Sequence, residues 1–238
     1  MSTNALHSQV EKAFNVIRQL SQSDEDELVS DDPFVALVFN LWENYGGTTP
    51  YPIVLPIAHE IDEGSSLPVC VITKDPHDEW KEKFNQSPLP YKIKSYTIST
   101  WRQRFANASE RRELMHRFRT FIADQRIAHL LDDCIGQNFY KLKRVPALVD
   151  LSGEDIFTPI KEVVEGTTAT LPKANKFAVR IGRLSWEPSE IADNAVDVVN
   201  AIFQKIGEDK VVTISIRTPS SLILPVYTAD ITNILAQE

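Results

Sequence analysis

Only two cysteines, Cys70 and Cys134, occur in 238 residues, and they lie far apart inside apolar segments. No disulfide framework follows from them; both read as small buried hydrophobes suited to a reducing compartment. CxxC is absent, and His7, His59, His77, His116 and His129 include no pair at metal-ligand spacing, so no metal centre is expected. There is no run of about 20 uncharged apolar residues, so no membrane span is expected. The opening MSTNALHSQVEKAFNVIRQL lacks the basic start and apolar centre of a signal peptide, so secretion is not expected either. P-loop, Gly-x-Gly-x-x-Gly and Gly-x-Ser-x-Gly patterns are missing, which leaves no basis for an enzyme or a cofactor. Asp75 and Asp124, the one pair of carboxylates near strand ends, read as helix caps.

What is present is a large apolar fraction and an uneven distribution of charge. With 42% hydrophobic residues the chain can bury a sizeable core, in one large domain or two smaller ones. The formal charge of -8 argues against indiscriminate nucleic-acid binding. That average hides an asymmetry. Residues 1–64 hold Lys12 and Arg18 against eleven acids, whereas residues 101–146 hold ten Lys/Arg against five acids. Lys173, Lys176, Arg180 and Arg183 then follow in a stretch with no acid. A localised basic surface is the reading that competes with ordinary solvated helix and strand faces.

Leu6, Val10, Ala13, Phe14, Ile17 and Leu20 fall at helical spacing and predict a helix over 4–21, ended by the acidic tract at 24–27. Apolar runs at 34–39, 53–56 and 67–72 predict strands, with turn chemistry at 45–50. Asp75-Pro76 opens a helix carrying Trp80 and Phe84. Thr100 with Gln103 reads as a capping box, and Ser109 as the cap of the next helix. Residues 121–123 form a strand ending, and Ile127, Leu130, Leu131 and Cys134 a helix stopped at Gly136. A short helix is expected over 155–164, a loop over 166–172 and a strand over 177–182. Pro188 starts a long helix that Gly207 stops, and strands at 210–217 and 222–227 flank a Pro-Ser-Ser turn. The segments suit a discontinuous domain of residues 1–65 and 156–238, with an α/β domain of residues 66–155 inserted.

The block FIADQRIAHLLDDCIGQNFYKLKRVP at 121–146 resembles the inserted domain of the ribosomal protein L1 superfamily, in the eukaryotic ribosome-assembly branch. Four further segments are similar in the same order: Ile53-Val-Leu-Pro-Ile-Ala-His, Val69-Cys-Val-Ile-Thr-Lys-Asp, Ala178-Val-Arg-Ile-Gly-Arg-Leu with Ile191-Ala-Asp-Asn, and Ile214-Ser-Ile-Arg-Thr-Pro-Ser-Ser-Leu-Ile-Leu-Pro-Val-Tyr. The resemblance implies a two-domain α/β fold, a discontinuous domain plus an inserted Rossmann-like three-layer α/β domain. It also implies a non-catalytic nucleolar factor that binds pre-ribosomal RNA, as a monomer among assembly proteins in an early small-subunit precursor containing U3 small nucleolar RNA. A protein-interaction scaffold with little RNA contact is the competing expectation. Arg217, Thr218, Ser220 and Ser221 match the family's RNA-facing segment, although no glycine follows Thr218, so modest intrinsic affinity is expected. Arg180 and Arg183 extend a basic strip, but spacing of three in a strand sends them to opposite faces, so only one is expected to join it. Lys141, Lys143 and Arg144, with Phe139 and Tyr140, form a secondary basic surface or the solvated edge of a strand.

Overall fold

The structure, a computed structural model, describes residues 3–23, 32–45, 51–171 and 174–229. The acidic tract at 24–27, most of the turn at 45–50, and Lys173 lie outside them. In chain order the elements are α1 (Thr3–Ser23), β1 (Phe34–Leu41), β2 (Ile53–Leu55), β3 (Val69–Thr73), α2 (His77–Asn85), β4 (Ile93–Thr97), α3 (Ile98–Arg104), α4 (Ala108–Arg117) and β5 (Phe121–Asp124). There follow α5 (Ala128–Ile135), α6 (Gln137–Lys141), β6 (Ala147–Val149), α7 (Phe157–Glu165), β7 (Thr167–Ala169), β8 (Lys176–Arg183), α8 (Pro188–Ile206), β9 (Val211–Arg217) and β10 (Leu224–Thr228).

The chain divides into two compact units. One comprises Met1–Thr48, Leu55–Ile61 and Thr167–Glu238; the other comprises Thr49–Val54 and Asp62–Gly166. In the first, an antiparallel sheet of order β10-β9-β1-β8 is covered on one face by α1 and α8. Strand alternation supplies that face: Leu37 and Phe39 of β1, Val179 and Ile181 of β8, and Ile214 and Ile216 of β9 are fully buried. Val10, Phe14 and Ile17 of α1, and Ile191, Val198 and Ile202 of α8, are equally inaccessible. Each such side chain contributes about 1.5–3 kcal/mol by leaving water. Pro188 opens α8 within a capping box in which Glu187 and Glu190 exchange bonds to each other's backbone N–H.

The second unit is a parallel sheet of order β4-β3-β5-β6 with helices on both faces. The two faces of β3 and β5 feed separate cores. Cys70, Ile72, Phe121 and Ala123 pack with Trp101, Leu131 and Phe139 from the α3–α6 side. Val69, Val71 and Ile122 pack with Trp80, Phe84, Ile160 and Val164 from the α2 and α7 side. Strands buried on both faces read as continuous apolar runs, which is why β3 and β5 were visible in the sequence. Both cysteines are buried and free, and burial pushes the Cys70 thiol far above its ordinary range, so it stays protonated. Among the described residues, no helix is long and apolar enough to cross a membrane.

Several local expectations are corrected. The cap of α3 is Thr97, whose Oγ1 accepts the Thr100 N–H at 3.3 Å; Thr100 sits inside the first turn. Asn107, not Ser109, occupies the N-cap position of α4. Asp75 does not cap α2: its carboxylate accepts a hydrogen bond from Ser99 Oγ at 2.8 Å, and Pro76 holds the cap position. Asp124 accepts the Arg126 N–H at 2.9 Å and caps the 3-10 turn Gln125–Ile127 that precedes α5, while α5 itself starts after Ile127 without a side-chain cap. The loop expected at 166–172 contains β7, and the strand edge expected beyond Phe139 is the short helix α6.

Candidate nucleic-acid interface

The sheet face of the first unit opposite α1 and α8 is assembled by register. Residues directly opposite in antiparallel strands point to the same side. Ala36 of β1 pairs with Arg180 of β8 on one side and with Arg217 of β9 on the other. The two arginines therefore flank an alanine methyl across three neighbouring strands. Arg180 is exposed and Arg217 half-buried, while Val38 and Ser215 further along the same face are buried.

The parity expectation for Arg180 and Arg183 is overturned. Between Val35 and Ala36 the β1–β8 register shifts: Phe34 pairs with Arg183, Val35 with Gly182, and Ala36 with Arg180. Two residues of β8, Ile181 and Gly182, therefore occupy one step, and both are buried. The extra residue resets the alternation, as a β-bulge does, and returns Arg183 to the face of Arg180. Both guanidinium carbons lie 4.4 Å from the centroid of the Phe34 ring. Such cation–π contacts hold both planar guanidiniums over one ring. Arg183 Nη1 also donates to the Asp32 carbonyl at 3.4 Å, and Asp32 in turn accepts from the Ser185 N–H and hydroxyl. Phe34 was quoted in the sequence only as the first residue of a strand; the signal that could have marked it is a large aromatic at the end of β1, opposite an Arg-Ile-Gly-Arg segment.

The turn after β9 is self-contained. Thr218 is buried and its N–H donates to Ser221 Oγ at 2.8 Å, while the Ser221 N–H donates to Thr218 Oγ1 at 3.2 Å. Ser221 Oγ donates onward to the Leu222 carbonyl. These two hydroxyls shape the turn, which leaves Ser220 as the exposed hydroxyl beside Arg217, with Leu222 and Ile223 projecting next to it.

The three residues of the secondary basic surface separate by role. Lys141 and Lys143 are exposed. Arg144 is half-buried, and its guanidinium donates to the carbonyls of Met115, Phe118 and Arg119 at 3.1, 2.6 and 3.0 Å, closing the end of α4. Phe139 is fully buried and is no stacking platform, while Tyr140 is half-buried against the same core and donates to Asp132.

Among the described residues, no group of three or more His, Cys, Asp or Glu side chains is arranged to hold a metal ion. His7 and His59 each hydrogen-bond one oxygen of Asp193, at 3.2 and 3.1 Å, beside an open cleft of about 460 Å3 between α1 and α8. Burial, followed by the neighbouring Asp193 charge, raises the Asp197 carboxyl above its usual range, opposed by a bond from the Ala58 backbone.

Comparison with known proteins agrees with this architecture. Ribosomal L1 domain-containing protein 1 of Mus musculus is 29% identical over 239 residues, covering 94% of this chain and 52% of that protein. A putative ribosome biogenesis protein of Schizosaccharomyces pombe is 25% identical over 170 residues, covering 68% and 46%. Ribosome biogenesis protein UTP30 of Saccharomyces cerevisiae is 22% identical over 245 residues, covering 91% and 88%. The chain thus spans about half the length of the first two relatives. The sequence profile of the Ribosomal protein L1p/L10e family matches residues 17–222, through both compact units, and the chain belongs to that non-catalytic family.

Proposed function

We propose that this protein is a ribosome-biogenesis factor whose antiparallel-sheet unit grips pre-ribosomal RNA, within an early small-subunit precursor of the nucleolus that contains U3 small nucleolar RNA. The observation that carries the reading is the cluster made by the bulge: Arg180 and Arg183 on either strand position beside Phe34, with Arg217 across Ala36. Planar guanidiniums suit phosphate because each presents paired donors, and an aromatic support lowers the entropy lost on binding. Ser220 adds a hydroxyl able to meet a ribose 2′-OH. Two relatives carry ribosome biogenesis in their names, which supports the setting.

Arg180→Ala with Arg217→Ala is expected to weaken binding of a pre-ribosomal RNA fragment about tenfold or more, at unchanged melting temperature. Crosslinking and sequencing of the bound RNA then identifies the segment. Unaltered affinity in the folded double variant would move the site elsewhere. The net charge of -8 favours a second reading, a protein scaffold of the same fold. Partners that co-purify equally before and after nuclease treatment would favour that one.

A further inference from the structure

The second unit is electrically two-sided. Residues 101–146, which supply the helical layer α3–α6 and strand β5, carry ten Lys/Arg against five Asp/Glu; one of the ten, Arg119, is buried and donates to the Val164 carbonyl of α7. Residues 74–85 and 150–165, which supply α2, α7 and their flanks on the other face, carry four lysines against nine Asp/Glu. Part of this charge is paired within the segment, Arg117 with Glu113 and Arg126 with Asp124, while other arginines are held by neutral groups. Arg111 donates to the carbonyls of Phe105 and Ala106, Arg144 to three carbonyls, and Arg102 to Cys134 Sγ. The carbonyl and thiol acceptors of Arg111 and Arg102 are neutral and do not cancel the charge of those two guanidiniums.

Within this layer one residue sits where its backbone is costly. The helix α6 ends in a Schellman motif: the Arg144 N–H donates to the Phe139 carbonyl at 2.9 Å, and the Lys143 N–H to the Tyr140 carbonyl at 3.1 Å. Lys143 therefore occupies the left-handed position, with φ of 52°, which glycine adopts freely and lysine does not. Lysine gains nothing there from packing, because it is exposed, and it forms no ion pair among the described residues. A strained side chain of this kind points to a task beyond folding. Its backbone is anchored: Arg144, next in sequence, is bonded to the last carbonyls around α4, and the exposed Lys141, the last residue of α6, lies two positions earlier.

We infer that the α3–α6 layer is a second RNA-backbone-binding surface, on the inserted unit, with Lys141 and Lys143 as its phosphate contacts. It rests on the RNA-binding reading above and adds a site in the other unit. The ligand is a phosphate backbone, because the exposed Lys141 and Lys143 offer point charges, which meet phosphate and carry no base-reading geometry.

The test uses the full chain and a fluorescently labelled pre-ribosomal RNA hairpin, with binding measured across a salt series. Lys143→Gly is expected to melt at or above the wild-type temperature yet bind several-fold more weakly, with a salt slope shallower by about 0.7–0.9. Lys141→Ala with Lys143→Gly should double that change in slope, and Lys143→Arg should restore binding. Wild-type affinity in Lys143→Gly, while Arg180→Ala with Arg217→Ala weakens binding, overturns this inference and leaves the sheet site standing. Absence of RNA binding by the wild type overturns both. Selective loss of binding to a polyglutamate peptide, with RNA affinity unchanged, would reassign the layer to an acidic protein and overturn it as well.

Discussion

Gly182 governs where the two arginines of β8 point. A Cβ built on it would stand 2.4 Å from Ile191 Cδ1 and 2.8 Å from Trp186 Cε3, closer than packed atoms approach. The bulge needs this position buried between the sheet and the first turn of α8, and only a residue without a side chain fits there. Gly182→Ala is therefore expected to cost about 1–3 kcal/mol by overpacking, read as a lower urea midpoint. Because relief of the clash requires β8 to shift, RNA affinity should fall even in buffer where the variant remains folded. A variant that keeps both stability and affinity would separate Gly182 from the site. Strict alternation, the only rule the sequence offers, sends residues 180 and 183 apart; the bulge that reunites them is set by packing against Trp186 and Ile191, which no spacing rule contains.

At the scale of elements, α8 shows how a sequence pattern acquires a physical cause. Asn194, in the Ile-x-x-Asn segment, is fully buried in the helix. Its Nδ2 donates to the carbonyls of His59 and Ile181, each at 2.8 Å, and its Oδ1 accepts the His59 N–H at 2.8 Å. One side chain thus ties α8 to β8 beside Gly182 and to the segment 56–61. Asn194→Ala strands two carbonyls and one N–H in the interior and is expected to destabilise by about 2–3 kcal/mol. Chemical denaturation measures this, and a loss below about 0.5 kcal/mol would mean that water replaces the amide. Two kinds of element were legible: α1, α2, α5, α8, β8 and β9 carry apolar residues at the period their structure requires, and β1, β3 and β5 stand out as continuous apolar runs. The elements not foreseen are β4, β6, β7 and α6, none longer than five residues. Three of them are too short to show a period, and β4, as an edge strand, interleaves Lys94 and Ser95 with its apolar residues. The helix α6 depends on tertiary bonds, with Arg144 and the buried Phe139 fixing a turn that propensity alone would not.

For the whole molecule, the net charge of -8 misstates what an RNA would meet, because acids and bases are sorted between faces. The excess of bases at 101–146 was visible in the sequence. That it forms one layer of a three-layer unit, and that Lys143 is strained within it, depends on the β4-β3-β5-β6 order and on the end of α6. Measured affinity should therefore depend on salt through local contacts and not through the net charge. With Arg180, Arg183, Arg217, Lys141 and Lys143 each meeting one phosphate, log K is expected to fall with log salt at a slope of about -3.5 to -4.5. Removing the Arg180 and Arg217 side chains should take about 1.5–2 from that slope, and removing the two lysines a similar amount. The reductions should add, because the residues belong to separate compact units with separate cores. A slope near zero in a wild-type complex would mean that phosphates contribute little, and the scaffold reading would then be the better account of the fold.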